Sequence, residues 1–254
     1  MCIGITKAKN SNQPTLYMRT TIHSSSGSET ITFRWSNQAV INPSVAAVRK
    51  LIWMGCLLLC CLFFASTAFA QITVSGSLGS KDGTYASLTG AGTAPNAGGG
   101  VFAALNSVAQ TGATITVSIT GDVTERGTNG LNAGAWTSIT ISPSGGAART
   151  ISGTVAGNPL INLNGADNVT FNGLNSGGNS LTITNLSTSS TSGTSTIKYI
   201  TDATNNTVTN CTVLGSSTTA VGTNGGTFWF AAGAASVGND NNTISNCNIY
   251  DIFN

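Results

Sequence analysis

The chain has 254 residues, of which 31 are glycine and 7% are charged, with a formal net charge of +2. That charge is unevenly placed: residues 1–70 hold six Lys and Arg against Glu29, whereas residues 71–254 hold four (Lys81, Arg126, Arg149, Lys198) against seven acids, so the larger part offers no basic patch to nucleic acid. The one histidine, His23, lies before residue 71, which excludes a Ser-His-Asp or Cys-His centre and a His-ligated zinc site from the larger part.

Residues 1–47 read as a non-native or disordered leader, with Val48 a candidate initiator. Arg49-Lys50, the apolar run from Leu51 to Phe64 and Ala68-Phe69-Ala70 then describe a secretory signal peptide over residues 48–70, cleaved after Ala70. No stable membrane span is expected once it is removed. The expected destination is the cell surface or the medium, and residues 71–254 are expected to form one elongated domain.

In chain order, Ile72-Thr73-Val74 predicts a first strand, followed by a Gly-, Ala- and Ser-rich passage to Gly100. The one predicted helix covers residues 101–110, with Phe102, Leu105 and Val108 on one face and Gly112 just beyond. Such a helix is suited to covering the open end of a stack of strands. Alternating apolar residues then predict strands at 114–120, 137–142, 149–155, 160–163, 169–174, 181–186 and 197–200, separated by turn segments such as Pro143-Ser144-Gly145-Gly146. No helical period separates them, so crossover helices are excluded and parallel coils are the better account.

A nine-residue phrase occurs twice, as Asn205-Asn-Thr-Val-Thr-Asn-Cys-Thr-Val213 and 36 positions later as Asn241-Asn-Thr-Ile-Ser-Asn-Cys-Asn-Ile249. Val208 and Ile244 are expected to point inward, Asn210 and Asn246 to turn the chain, and Cys211, Val213, Cys247 and Ile249 to resume the alternation. Looser echoes lie at Asn185 and at Asn172-Gly173, where Gly173 takes the corner place. A repeat of this size cannot bury its apolar face alone and needs neighbours above and below.

From about Gly83 to Asn254 the chain resembles the secreted bacterial right-handed parallel β-helix proteins of pectin-lyase-like fold. The likeness rests on Ala148-Arg-Thr-Ile-Ser-Gly153, on Leu163-Asn-Gly-Ala-Asp-Asn-Val-Thr-Phe-Asn-Gly-Leu174 and on the two phrases above. It implies an all-β right-handed solenoid with a short N-terminal capping helix. That coil is shared by polysaccharide lyases, glycoside hydrolases, adhesins and passive surface proteins, so it does not choose an activity. The chain stops at a strand with no terminal repeat to cover it, so further rungs and self-association through the last coil are both expectations.

Candidate chemistry is sparse. Asp122 and Glu125 form the only close acidic pair; carboxylates flanking a sugar could do acid and base work, but the plain reading is a solvated turn beside Arg126. The resemblance implies calcium held by clustered Asp with an Arg or Lys base, yet Asp167 and Asp240 stand at equivalent repeat positions whose middle member is Thr204, and acids a whole rung apart do not share one ion. No cofactor is expected. Lys198 and Arg149 are bases without a partner cluster. Several Asn-x-Ser/Thr sequences match a glycosylation signal, which Asn- and Thr-rich turns produce by composition.

Cys211 and Cys247 occupy one place in successive repeats and are expected as stacked buried thiols, with a disulfide as the alternative. In Thr227-Phe228-Trp229-Phe230, alternation would bury Phe228 and Phe230 and send Trp229 outward as a platform for a sugar ring, unless it packs beneath its own loop. The reading taken is an exported adhesive, glycan-contacting or structural protein without a catalytic centre in this stretch. The alternatives are a polysaccharide lyase or hydrolase with its acids in other rungs, or a passive spacer.

Overall fold

The computed structural model describes residues 17–24, 27–34, 71–215, 224–232 and 238–252. The expected signal peptide lies outside these residues. The chain divides into two compact units, Met1–Ala65 and Ser66–Asn254. In the first, where a leader is expected, β1 (Tyr17–Ser24) and β2 (Gly27–Arg34) pair as an antiparallel hairpin.

The second unit is an all-β parallel coil. It begins with β3 (Ile72–Ser75) and β4 (Gly83–Tyr85), an antiparallel pair, followed by α1 (Val101–Asn106). Three strands per turn then recur: β5 (Thr114–Ile119), β6 (Val123–Thr124) and β7 (Leu131–Asn132), then β8 (Ser138–Pro143), β9 (Ala148–Gly153) and β10 (Pro159–Asn164). The next turn is β11 (Val169–Asn172), β12 (Ser180–Asn185) and β13 (Ser195–Ile200), followed by β14 (Thr207–Thr209), β15 (Cys211–Gly215) and β16 (Gly226–Phe230). Strands β17 (Thr243–Ser245) and β18 (Asn248–Asp251) continue the first two sheets. The sheets run β17-β14-β11-β8-β5-β3-β4, β18-β15-β12-β9-β6 and β16-β13-β10-β7.

Parallel register stacks like on like. One column runs Val117, Ile141, Phe171, Val208, Ile244; a second runs Val123, Ile151, Ile183, Val213, Ile249; a third runs Leu131, Leu163, Tyr199, Phe230. Their earlier members are buried, so each coil closes the apolar face that its neighbour cannot close alone. The last members are less covered because β16, β17 and β18 are edge strands of the described sheets: Ile249 is 47% and Phe230 49% exposed, although alternation places Phe230 on the inward side.

In the last two coils, two corners each are asparagine corners. Asn210 and Asn246 have φ of 56° and 52°, the left-handed conformation that the repeated phrase predicts. A second column, Asn168, Asn205 and Asn241, is left-handed as well, with φ of 57°, 56° and 57°. The side chains of the next residues rivet this corner: Asn206 Oδ1 accepts from Val169 N at 2.9 Å while Nδ2 donates to Ala166 O at 2.9 Å, and Asn242 Oδ1 accepts from Asn206 N at 2.9 Å.

The two looser echoes differ from the expected corner. Gly173 sits level with Asn210 without a positive φ; Leu174 and Asn175 make the left-handed step instead, at 63° and 47°. Glycine is needed there for space, since a Cβ would lie 1.9 Å from Asn210 O. Asn185 is no corner at all. It ends β12 buried, donating to Val155 O and Ser195 O and accepting from Val155 N, which also stops β9 short of Val155.

The helix covers apolar surface as expected, burying Val101, Phe102, Ala104 and Leu105, but it ends at Asn106 rather than at residue 110. Ser107 turns its hydroxyl back onto Ala104 O at 2.7 Å, and Gln110 leaves the helical path to accept from Leu78 N at 2.7 Å. The parallel run of the first long sheet ends at β5, which β3 joins antiparallel, with β4 at the edge. Among the described residues no helix is long and apolar enough to cross a membrane.

Candidate functional sites

The sheet β16-β13-β10-β7 carries the most chemically varied outward row. Register places Asn162, Lys198 and Trp229 side by side on successive coils, between the inward columns that contain Ile197 and Tyr199. Lys198 Nζ lies 4.1 Å from the centroid of the Trp229 ring. A cation at that distance is attracted by the ring quadrupole. Trp229 is half-buried, and one neighbour of its ring is an ammonium, set there by strand register. Burial holds the Lys198 pKa below the ordinary ammonium value.

Beside this row Asn164 Nδ2 donates to Asn132 Oδ1 at 2.9 Å and Thr201 Oγ1 donates to Asn164 Oδ1 at 3.0 Å. Beneath Trp229's neighbour, Phe230 stacks on Tyr199 with centroids 4.6 Å apart and planes 4° apart, which fixes the end of β16. The result is a strip holding a cation, an indole and amide groups on a rigid sheet.

The acidic pair is divided by the fold. Glu125 is 2% exposed, not solvated, and its carboxylate accepts from Leu88 N at 2.5 Å, Thr89 N at 2.8 Å and Thr89 Oγ1 at 2.5 Å. Burial pushes its pKa up, partly countered by these three donors. Asp122 Oδ1 instead accepts from Thr150 N at 2.8 Å, on the next coil. The solvated-turn reading is therefore corrected for Glu125, which clasps the segment leading into α1; Asp122 is exposed, as that reading has it, and holds β9 through Thr150 N.

Asp167 is likewise an inter-coil acceptor. Its Oδ1 takes Thr204 N at 2.6 Å and Thr204 Oγ1 at 2.9 Å, so the threonine that interrupts the Asp series is the acidic residue's own partner. Among the described residues no group of three or more His, Cys, Asp or Glu gathers around one point. Arg149 folds back onto its turn, donating from Nε and Nη2 to Ser144 O at 3.2 Å.

Cys211 and Cys247 are free thiols, and the register Thr212 to Asn248 places one over the other. Cys211 is buried and its pKa is pushed up to about 12, first by burial and then by Cys247; Cys247 is half-buried because it lies on the edge strands' coil.

A cleft of about 290 Å³ opens between the end of α1 and residues 132–136, with Leu105, Val108, Gln110 and Trp136 among its lining. Two of its polar side chains are engaged within the fold: Trp136 Nε1 donates to Asp167 O at 2.6 Å, and Asn106 Oδ1 accepts from Asn132 N at 3.0 Å.

The sequence pointed to Trp229 through alternation, but Lys198 as its neighbour needs the register of β13 on β16, across a connection that local pattern does not measure. Comparison with protein-family models, with curated proteins and with solved structures finds no match for this chain.

Proposed function

We propose that this chain is an exported β-helix of pectin-lyase-like type that holds glycan on its lateral face, as an adhesive or structural surface protein. The observation that carries this reading is the outward row Asn162, Lys198, Trp229 on the sheet β16-β13-β10-β7. An indole stacks on sugar faces, an ammonium pairs with a sugar carboxylate, and an amide bonds hydroxyls, so the row favours acidic polysaccharide. A solenoid face presents such groups in line, which suits an extended partner.

Export rests on the sequence of residues 49–70 and is checked by finding Gln71 as the first residue of the extracellular protein. Glycan binding is checked on immobilised acidic and neutral polysaccharides with the wild-type chain, Trp229→Ala and Lys198→Ala. Retention on acidic polysaccharide that drops at least tenfold in either variant supports the reading. Retention unchanged in Trp229→Ala, or no retention at all, overturns it and leaves a spacer; new unsaturated chain ends would identify a lyase instead.

A further inference from the structure

We propose that Cys211 and Cys247 form a two-coordinate site for a thiophilic monovalent ion of the Cu(I) and Ag(I) class, with Tyr199 as its hydrogen-bond donor. This goes beyond the glycan reading and does not depend on it.

The argument starts from spacing. Parallel strands stacked in register sit about 4.8 Å apart. Two metal–thiolate bonds of roughly 2.3 Å placed end to end span nearly the same length. Register sets the two cysteines one strand spacing apart, a spacing suited to an ion between their sulfurs. A disulfide requires the sulfurs at about 2.05 Å, which two parallel side chains on one column reach only by tilting toward each other. Both cysteines are free thiols. Each is aimed inward: Cys211 Sγ donates to Thr209 O at 3.2 Å and Cys247 Sγ to Ser245 O at 3.2 Å and Val208 O at 3.5 Å. Cys211 belongs to the core and Cys247 packs against it.

The second observation is independent of the thiols. Tyr199 is fully buried, and its hydroxyl is one of three buried side-chain atoms, among the described residues, without a hydrogen-bond partner. A buried hydroxyl left without a partner costs about 1–3 kcal/mol and asks for a reason. This one lies within electrostatic reach of both Cys247 and Cys211. When a monovalent ion replaces two thiol protons, the assembly S–M–S carries one negative charge. The unpartnered phenol then has an anion to donate to, and the anion has the donor it needs in a low-dielectric interior.

The step balances without an oxidant. Two S–H bonds break, two metal–sulfur bonds form, two protons leave for solvent and the ion keeps its oxidation state. Soft thiolate ligands select such ions over calcium or magnesium.

The test uses the full chain with Cys2, Cys56, Cys60 and Cys61 replaced by serine, so that the only thiols are Cys211 and Cys247. Silver nitrate is added in chloride-free buffer, with native mass spectrometry counting ions and a pH-stat counting protons. One ion per chain with two protons released is the expected result. Cys211→Ser and Cys247→Ser should each weaken binding at least a hundredfold, and Tyr199→Phe should keep one ion with about tenfold weaker affinity. Two ions per chain, one proton per ion, or single-cysteine variants that bind as well as the parent would overturn the site; the ion and proton counts of the parent chain with only Cys211 and Cys247 decide this even if a variant does not fold. Unchanged affinity in Tyr199→Phe would remove Tyr199 from it.

Discussion

Replacing Glu125 by alanine should loosen the N-terminal cover from the first coil. Its carboxylate is the acceptor for Leu88 N, Thr89 N and Thr89 Oγ1, all in buried surroundings. Bonds to a charged acceptor are worth about 1.5–3 kcal/mol each, and a buried donor left alone costs about 1–3 kcal/mol. Alanine orphans two backbone N–H groups; Thr89 Oγ1 keeps the bond it accepts from Gly127 N at 3.0 Å. Against that loss stands relief from burying a carboxylate, the effect that raises the Glu125 pKa. The balance is a net loss of about 2–4 kcal/mol, or a melting temperature lower by about 5–15 °C for a unit of this size.

The pH dependence has a definite sign. A carboxyl whose folded pKa is raised binds its proton more firmly in the folded state than in the unfolded chain. Its contribution to stability is complete below the ordinary carboxylate range and decreases as pH rises through the raised folded pKa. The penalty of Glu125→Ala, taken as the difference from wild type at each pH, should therefore be larger at pH 4 than at pH 7. Denaturant unfolding gives the difference, and amide exchange at Leu88 and Thr89 locates it. A loss below about 0.5 kcal/mol, well under the cost of one orphaned donor, together with unchanged exchange at those amides, would refute the clasp.

Asn206→Ala removes the partners of Val169 N and Ala166 O at once and should cost about 2–4 kcal/mol in denaturant unfolding. Asn210→Gly should be close to neutral and Asn210→Ala should lose about 1 kcal/mol, because φ is 56° at this corner. Gly173→Ala should be far worse than Gly112→Ala, whose Cβ would meet nothing within 4 Å, and loss of soluble folded protein measures it. Binding of an acidic polysaccharide should weaken as pH rises through the lowered Lys198 pKa, read as earlier elution from the immobilised ligand.

The coil was legible because its strands keep an alternation of two and its corners reuse one residue type. The repeated phrase placed Asn210 and Asn246, and the inward set Val208, Cys211 and Val213 is buried as that alternation requires. The second Asn column was harder to read. Asn168 precedes its strand by one residue and Asn205 and Asn241 theirs by two, where a turn of any type would look the same in composition. Glu125 was misread for a related reason: charge in a Gly- and Thr-rich stretch looks solvated unless the chain 36 residues earlier is known to return to it. The partnership of Lys198 with Trp229 has the same character, since it depends on β13 and β16 meeting in register across residues 201–225.

The alternation that builds the coil also divides its chemistry. On β13, Tyr199 faces inward and Lys198 outward, one residue apart. The inward residue belongs to a column that must stay dry, so a polar atom there is tolerated only with a partner or a purpose. The outward residue belongs to a row that water reaches, where a cation and an indole can be exchanged without disturbing the columns behind them. A one-residue slip of β16 on β13 would exchange the two sets, putting Trp229 into the core and Phe230 onto the face. The stack of Phe230 on Tyr199 resists that slip, so this aromatic pair on the inward side of the sheet is what keeps Trp229 and Lys198 available on its outward side. Tyr199→Ala should accordingly weaken glycan retention although Tyr199 touches no solvent, while Tyr199→Phe, which keeps the ring, should leave retention as in the wild type. Equal retention by the alanine variant and the wild type would show that the face is set by β-strand pairing alone.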